Sequence, residues 1–205
     1  MTGADGTGAG VVLLETERLR LRRLTVGDVA HLVDLDSDPE VMRFLTGGRP
    51  TPPAVIRDEL LPRLLAEYDR YPGLGRWAAL DRGTGDFLGW FALRPPGDGD
   101  GTQAELGYRL RRSAWGRGLA TEGSVALIRY AFAVLGVSRI WAETMAVNVA
   151  SRRVMEKAGL RHLRTFHLSW ADPIEGVEHG EVEYEVRRED RRPDGQEWAA
   201  ALRAR

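Results

Sequence analysis

The chain has 205 residues, a formal net charge of −1, and a composition that is 43% hydrophobic and 29% charged. These values are typical of one globular domain with a sizeable core. They give no global basic field for nucleic acid, and no apolar run approaches the roughly 20 residues that span a bilayer. The absence of cysteine excludes disulfides, thiolate metal sites and a cysteine nucleophile.

The start of the chain is rich in Gly, Thr and Ala and lacks the basic patch of a signal peptide. Residues 1–10 are therefore predicted to be a disordered leader, and the protein is predicted to be cytoplasmic. Lys157 is the single lysine beside many arginines, a bias typical of a GC-rich bacterial genome.

The first half of the chain is predicted to combine strands with two helices. Thr25 and Asp28 have the spacing of a capping box, which predicts a helix to about residue 35. Thr51, followed by two prolines, predicts the start of a second helix. Strands are predicted where apolar residues alternate or cluster, over residues 18–24, 76–80, 87–93 and 104–110.

The second half is predicted to continue as strand–helix units. A helix over residues 119–135 should stop at Gly136, and a shorter one should start at Asn148 and end at Gly159. Further strands are predicted over residues 137–144, 164–170 and 182–186. This order predicts a single α/β domain over residues 11–187, followed by a charged tail over residues 188–205.

The segment between the strand at 104–110 and the helix at 119–135 is the most informative. Gly116 and Gly118 allow a tight turn and a close approach of the backbone to a ligand. The following helix start offers unpaired N–H groups and a positive dipole end. Arg111, Arg112 and Arg117 add full charges. This combination favours a polyanionic ligand such as a pyrophosphate.

Three kinds of phosphate site are compatible with a glycine-rich turn before a helix. The nucleoside triphosphate loop is absent, because its Gly-Lys-Ser/Thr end is missing. A dinucleotide site needs a third glycine where Thr121 stands, although Glu143 supplies the acidic residue after the next strand. A nicotinamide-dependent oxidoreductase therefore stays open beside a site for the pyrophosphate of coenzyme A.

Three sequence segments resemble the GNAT superfamily of N-acetyltransferases, most closely the group of ribosomal-protein N-terminal (alanine) acetyltransferases. The first is GRGLA at residues 116–120, where Trp115 stands in place of the common Gln or Arg. The second is NVASRRVMEKAGL at residues 148–160. The third is the opening LETERLRLRRLTVGDV together with DPEVMRFL. The resemblance covers residues 14–186.

The resemblance implies an α/β GNAT fold, with a mixed twisted sheet, helices on both faces, and a central strand pair splayed between 104–110 and 137–144. It implies acetyl-CoA as co-substrate, held by the backbone after the first splayed strand and by the helix start that follows. The residues that it assigns to acetyl-CoA are Leu110, Arg111, Arg112, Trp115, Gly116, Arg117, Gly118, Leu119, Ala120, Thr121 and Asn148.

Acetyl transfer needs a neutral amine, hydrogen bonds to the carbonyl oxygen, and a proton donor for the leaving thiolate. Glu105, on the strand that enters the cleft, is predicted to be the general base, and His167 is the second candidate. The resemblance implies that Ser151 donates the proton. The family's more usual tyrosine acid has no clear counterpart in the sequence. Trp90 and Trp170 are predicted to line the acceptor pocket.

No metal is predicted, because the spacing of the histidines and Asp172 fits no ligand pattern. The predicted partners are acetyl-CoA and a primary amine, without nucleic acid or membrane, and a homodimer is left open. The amine could belong to a protein N-terminus or to a small molecule. A non-catalytic acyl-CoA-binding module is the alternative to an enzyme, and Asn148 with Ser151 favours the enzyme.

Overall fold

The computed structural model describes residues 10–95 and 101–190, which form one eight-stranded mixed sheet. The predicted leader and tail lie outside the described residues, apart from residue 10 and residues 188–190. Neighbouring strands are antiparallel except β5 and β6, in the order β1-β2-β3-β4-β5-β6-β8-β7. The strands are β1 (Val12–Glu15), β2 (Leu19–Arg23), β3 (Gly75–Asp81), β4 (Phe87–Arg94), β5 (Gln103–Leu110), β6 (Arg139–Met145), β7 (Arg161–Phe166) and β8 (Glu181–Arg187).

Helices cover both faces of the sheet, because alternate residues of each strand point to opposite sides. On β4, Phe91 packs in one apolar cluster and Trp90 in the other. The first cluster includes side chains of the helices Leu119–Ala133 and Val149–Lys157, and the second includes side chains of the helices Val29–Ser37 and Leu61–Arg70. None of the described helices is long and apolar enough to cross a bilayer. The helices are α1 (Val29–Ser37), α2 (Pro39–Thr46), α3 (Pro53–Val55), α4 (Leu61–Arg70), α5 (Leu119–Ala133) and α6 (Val149–Lys157).

The centre of the sheet is splayed. β5 and β6 pair in parallel at only three positions, the last of which joins Glu105 to Trp141. Both strands then continue, β5 to Leu110 and β6 to Met145, with no further ladder between them. The predicted splayed strand pair is confirmed, and the gap opens towards the loop that precedes α5.

The predicted helix starts and stops are largely confirmed. The Asn148 side chain caps α6 by accepting a hydrogen bond from the Ser151 N–H at 3.2 Å. After α6, Gly159 has a φ of 93°, and Leu160 N–H donates to the Met155 carbonyl at 3.0 Å, which closes the helix.

Proline explains an irregularity that the apolar pattern did not predict. Between α3 and α4 the backbone makes a π-helical turn, Ile56–Leu60, and Leu61 N–H donates to the Ile56 carbonyl. Pro62 follows at once and has no N–H, and its ring would clash with a carbonyl four residues earlier in a regular helix. The wider turn accommodates this proline.

Three elements differ from the sequence prediction, and the first is β1, where no strand was predicted. Helix α2 was not predicted, although Asp38 caps it by accepting from Glu40 N–H at 3.0 Å and Pro39 stands at its start. The strand predicted over residues 164–170 lies three residues earlier, as β7. β7 is an edge strand whose residues are almost all exposed, so it lacks the alternation that marks a half-buried strand.

Candidate active site

The gap between β5 and β6 opens to both faces of the sheet, and β5 presents different side chains to each face. Leu106, Tyr108 and Leu110 point to the face that α5 and α6 cover. Glu105 and Arg109 alternate with them and point to the other face. Groups from both sides can therefore approach a molecule that enters the gap.

The loop between β5 and α5 has the backbone that an anion site needs. Gly116 and Gly118 have φ values of 71° and 78°, in the left-handed region that favours glycine. The first hydrogen bond of the helix runs from Glu122 N–H to the Gly118 carbonyl at 3.0 Å. The N–H groups of Leu119, Ala120 and Thr121 precede that bond at the positive end of α5.

Trp115 and the base of the loop hold part of the backbone assigned to the cofactor arm. The Trp115 side chain is 47% exposed, and its indole N–H donates to the Leu110 carbonyl at 2.7 Å. Arg111 N–H donates to the Leu88 carbonyl at 2.9 Å. A ligand that pairs with β5 would have to share the Leu110 carbonyl, which has a second lone pair.

The arginines of the loop are not free charges. Arg111 pairs with Asp34 at 2.9 Å and Arg112 with Asp38 at 3.4 Å, at the end of α1 and the start of α2. Arg117 pairs with Asp81 at 3.8 Å. These exposed pairs tie the loop to its surroundings and reduce its positive charge.

Glu122, in the first turn of α5, is held by the start of the chain. Its carboxylate accepts from the Thr16 hydroxyl at 2.5 Å and from Arg18 Nε at 2.7 Å, and Arg18 Nη1 also donates to the Arg117 carbonyl. Burial raises the pKa of Glu122, but the hydrogen bonds from Thr16 and Arg18 outweigh it, so the net pKa is lowered. The carboxylate stays charged, and these bonds fix the loop and helix start.

At the other side of the gap, the start of α6 places Ser151 and Asn148 together. The Asn148 amide group also donates to the Thr144 hydroxyl at 3.0 Å, which fixes its orientation between β6 and α6. Asn148 therefore acts as a helix cap, while its predicted contact with acetyl-CoA stays a prediction.

Tyr108 is a neighbour of Ser151 that sequence reasoning missed. The two hydroxyl oxygens lie 2.9 Å apart, and the Tyr108 hydroxyl also lies 3.1 Å from the Ser151 carbonyl. Burial raises the pKa of Tyr108 to about 12, against the opposing effect of the Ser151 hydrogen bond. The phenol therefore keeps its proton at neutral pH. The alternation of β5 could have placed Tyr108 on the inner face, but not beside α6.

The two predicted bases lie apart from this hydroxyl pair. Glu105 forms an ion pair with Arg94 of β4 and points to the opposite face of the sheet. His167 follows the end of β7 and is exposed, with its Nε2 atom 3.3 Å from the Glu178 carbonyl oxygen. Both assignments stay predictions.

The face that carries Glu105 also holds a group of arginines around Trp90. The guanidinium carbons of Arg76 and Arg109 lie 4.2 Å and 5.1 Å from the centre of the Trp90 ring system. Burial, with the nearby charges of Arg94 and Arg109, lowers the pKa of Arg76 to about 10, so Arg76 remains charged at neutral pH.

Across the gap, the same face of the sheet is acidic. Glu183 pairs with Arg139 and Arg164, each at 2.6 Å. Although Glu143 is exposed, partial desolvation and then the charges of Glu183, Glu105 and Glu181 raise its pKa. Burial also raises the pKa of Glu181, against a hydrogen bond from Trp170. Within residues 10–95 and 101–190, no group of three or more His, Cys, Asp and Glu side chains could hold a metal ion.

Comparisons with known sequences identify close relatives. Residues 18–161 match the family described as the acetyltransferase (GNAT) domain. FsC-acetyl coenzyme A-N(2)-transacetylase of Aspergillus fumigatus is 37% identical over 186 residues, which cover 86% of this chain and 77% of that protein. The uncharacterized protein YkkB of Bacillus subtilis is 32% identical over 166 residues, which cover 78% of this chain and 91% of that protein.

Solved structures share the same fold. A GNAT-family acetyltransferase from Bacillus anthracis has a TM-score of 0.70 at 21% identity, covering 87% of this chain and 99% of that one. A spermidine N-acetyltransferase from Vibrio cholerae, in complex with CoA and spermine, has a TM-score of 0.68 at 17% identity, covering 85% and 98%. At these identities the likeness concerns the fold alone.

Proposed function

The chain belongs to the GNAT acetyltransferase family, and from that premise we propose that it transfers the acetyl group of acetyl-CoA directly to a primary amine. The observation that carries the proposal is the gap between β5 and β6, with the Tyr108 and Ser151 hydroxyls at its side. The family membership makes the chain an acyltransferase enzyme, and the nicotinamide-dependent oxidoreductase is therefore set aside.

Acetyl-CoA would be held by the loop and helix start that precede and open α5. Its pyrophosphate suits the N–H groups of Arg117, Gly118, Leu119, Ala120 and Thr121, since the backbone there turns through two glycines into a positive helix end. A side chain at Gly116 would meet no atom within 4 Å, so this surface is accessible to a ligand. These features support the cofactor residues inferred from the sequence.

Acetyl-CoA supplies the reaction with an activated acetyl thioester. The amine nitrogen attacks the acetyl carbon, a C–N bond forms and the C–S bond breaks. The amine gives up a proton to a base, and the departing thiolate takes one from a donor. The Ser151 hydroxyl, backed by the protonated Tyr108 phenol, suits the role of donor.

Glu105 remains the proposed base, acting directly or through a water. Its carboxylate is already paired with Arg94, which competes with an incoming amine for its oxygens. Glu143 lies on the adjoining strand across the gap, and its raised pKa makes it a further candidate base. His167 is the remaining candidate, and substitution of each by an isosteric or neutral residue separates the three.

The acceptor class has two candidates. The Aspergillus relative's printed name specifies acetyl coenzyme A and an N(2) nitrogen, which favours a small-molecule amine here. Ser151 and Trp115 favour the second candidate, a protein N-terminus, since both positions resemble the ribosomal-protein acetyltransferases. The homodimer and the cytoplasmic location stay predictions of the sequence.

The decisive test measures free thiol and acetylated product for the purified chain with acetyl-CoA and a panel of amines. Amino acids, polyamines and short peptides with free N-termini cover both acceptor classes. We expect stoichiometric release of CoA thiol and of N-acetylated amine with at least one of them. Tight binding of acetyl-CoA without turnover of any amine would instead favour the acyl-CoA-binding module.

The cofactor site is tested by a matched pair of substitutions at the two ends of α5. Gly118→Asp places a carboxylate at the helix start, where we expect acetyl-CoA affinity to fall at least tenfold. Gly136→Asp is the control, because Gly136 is exposed and has a φ of 75° against 78° for Gly118. Both substitutions carry similar backbone strain, so equal affinities by calorimetry would contradict the assignment.

A further inference from the structure

Arg76 is a charged side chain that forms no ion pair with any residue the structure describes, although the charge of Glu67 on α4 acts on it from a longer distance. Its Nε atom is buried, and its guanidinium has no hydrogen-bond acceptor or ion pair among the residues that the structure describes. The stacking on Trp90 satisfies the flat face of the guanidinium but none of its N–H donors. Burying a charge without a hydrogen-bonded partner is costly, so such a group is a candidate for binding an anion.

The neighbours of Arg76 strengthen the positive side. Arg94 and Arg109 each have one carboxylate partner, Glu105 and Asp36. Their Nε atoms are also buried and lack partners among the described residues. Arg94 and Arg109 are therefore each paired with a carboxylate beside Trp90, whereas Arg76 has no ion pair among the described residues and is opposed only by the more distant charge of Glu67.

The opposite side of the gap carries an excess of negative charge. Glu181 is 5% exposed, and its Oε1 atom has no hydrogen-bond partner in the described part of the chain. Neither Glu181 nor Glu143 has an ion pair among the described residues, whereas Glu183 is neutralised by two arginines. A cationic amine would find partners here.

The floor between the two charged sides is flat and narrow. The strand register aligns Arg76 of β3 with Ala92 of β4, and Ala92 with Gly107 of β5. A Cβ atom at Gly107 would lie 3.8 Å from both Ala92 Cβ and Trp90 Cζ3, in ordinary contact, so the backbone of Gly107 lies beside the edge of the Trp90 ring. Adjacent strands lie about 4.8 Å apart, so β3 lies roughly 10 Å from β5 at the edge of the gap. The long Arg76 side chain covers part of that distance.

From this arrangement we propose that the acceptor is a small zwitterionic amine of the amino-acid type, whose carboxylate binds Arg76 and whose amine faces Glu143 and Glu181. The inference rests on the proposed acetyl transfer and names its substrate class. A planar guanidinium binds a carboxylate through two parallel hydrogen bonds, and stacking on Trp90 fixes its plane. A polyamine would leave Arg76 unpaired, and the first residue of a peptide carries an amide in place of the α-carboxylate.

Matched acceptors test the carboxylate site. One series is ornithine, ornithinamide and putrescine, and another is alanine, alaninamide and ethylamine. In at least one series we expect kcat/KM to be roughly tenfold or more higher for the carboxylate member, the value of a charge-assisted hydrogen bond. If the carboxylate-free members react as well or better in every series, the inference is wrong.

Variants of Arg76 test whether the preference for carboxylate-bearing acceptors depends on this side chain. Arg76→Gln should abolish the preference by lowering kcat/KM for the carboxylate acceptors, without a loss for the carboxylate-free ones, and Arg76→Lys should keep part of the preference. Arg63→Gln is the control, because Arg63 lies exposed on α4, close enough to influence the charge of Arg76. A preference that persists in Arg76→Gln would contradict the proposal. So would an equal loss in Arg63→Gln.

Calorimetry separates this inference from the proposed function. Ornithine and putrescine are titrated into the wild-type chain and into Arg76→Gln without acetyl-CoA. Ornithine affinity that falls tenfold in the variant, with putrescine unchanged, supports the site even if no amine is acetylated. Equal affinities of ornithine for both proteins would overturn the site even if acetyl transfer is observed. The melting temperature of Arg76→Gln should not fall, because the substitution removes a buried unpaired charge.

Discussion

At the scale of single residues, the contact between Tyr108 and Ser151 makes a kinetic prediction. Tyr108→Phe should lower kcat about 10²-fold at saturating acetyl-CoA, because a proton donor acts in the transition state. Acetyl-CoA affinity should not change. If both hydroxyls belong to one relay, Ser151→Ala added to Tyr108→Phe should cause little further loss.

The control for this prediction is a second buried tyrosine. The Tyr184 hydroxyl donates to Glu156 at 3.0 Å and accepts from Arg152 at 3.2 Å, and Tyr184 lies on β8, which pairs with β6 on the side away from β5. Tyr184→Phe should reduce stability and leave kcat within a factor of about two. Additive losses from Tyr108 and Ser151, or a large fall in kcat for Tyr184→Phe, would argue against a relay.

Gly123 shows how a single missing side chain positions α5. A Cβ atom there would overlap the Phe91 ring, lying 2.6 Å from Cε1, whereas real contacts are never so close. Gly123→Ala should destabilise the fold by about 1–3 kcal/mol through overpacking, despite the better helix propensity of alanine. Gly27→Ala is the control, since Gly27 is exposed with only Thr25 near, at 3.5 Å. Denaturant unfolding measures both, and equal midpoints would contradict the packing argument.

At the scale of elements, the start of α1 depends on a nearly buried ion pair. Asp28 accepts two hydrogen bonds from Arg22, at 2.7 and 2.8 Å, and one from Thr25 N–H at 2.8 Å. Burial raises the pKa of Asp28, but the bonds from Arg22 and Thr25 outweigh it and lower the net pKa. The carboxylate is thus stabilised in its charged form between β2 and α1.

This ion pair predicts a pH dependence of stability. Because the folded-state pKa lies below the unfolded value of about 3.9, the contribution is fully present above that value and is lost as the pH falls through the folded pKa. Asp28→Asn should cost about 3 kcal/mol at pH 7, since it leaves Arg22 without its partner. The difference from wild type should shrink below pH 4. Asp58→Asn, which breaks an exposed pair with Arg57, should have little effect at any pH.

Local signals determined which elements could be predicted. Helix α6 was read correctly because Asn148 and Gly159 mark its ends, and β5 because its apolar residues alternate. Helix α2 has an equally clear start signal, with Asp38 as the N-cap and Pro39 at the first position, but this signal was not used to predict a helix. The bounds of β7 could not be predicted, because an exposed edge strand has no buried face to impose a pattern.

The same distinction decides which parts of the candidate site could be predicted from the sequence. The loop around Gly116 and Gly118 is one continuous segment, so its backbone could be predicted from the residues in order. The pairing of Tyr108 with Ser151, and the unpaired charge of Arg76, join residues from distant parts of the chain. Such contacts depend on the register of the sheet and the packing of α6, which no local pattern encodes.

At the scale of the whole molecule, ligand binding should stabilise the fold. Acetyl-CoA at about 100 times its Kd adds about 2.7 kcal/mol, which should raise Tm by roughly 5–10 °C for a chain of this size. NADH at the same concentration should leave Tm unchanged, because the family uses acetyl-CoA. Thermal unfolding with each ligand measures this directly, and a larger shift with NADH would contradict the assignment.

The parting of β5 and β6 also has a consequence for backbone dynamics. Beyond Glu105 and Trp141, peptide groups of β5 that point across the gap have no ladder partner on β6. In solvent, those amides should exchange their hydrogens for deuterium quickly, although they sit in the middle of an eight-stranded sheet. The centre of the sheet therefore contains a row of fast-exchanging β5 amides. Slower exchange of these amides would report the binding of a molecule that pairs with them.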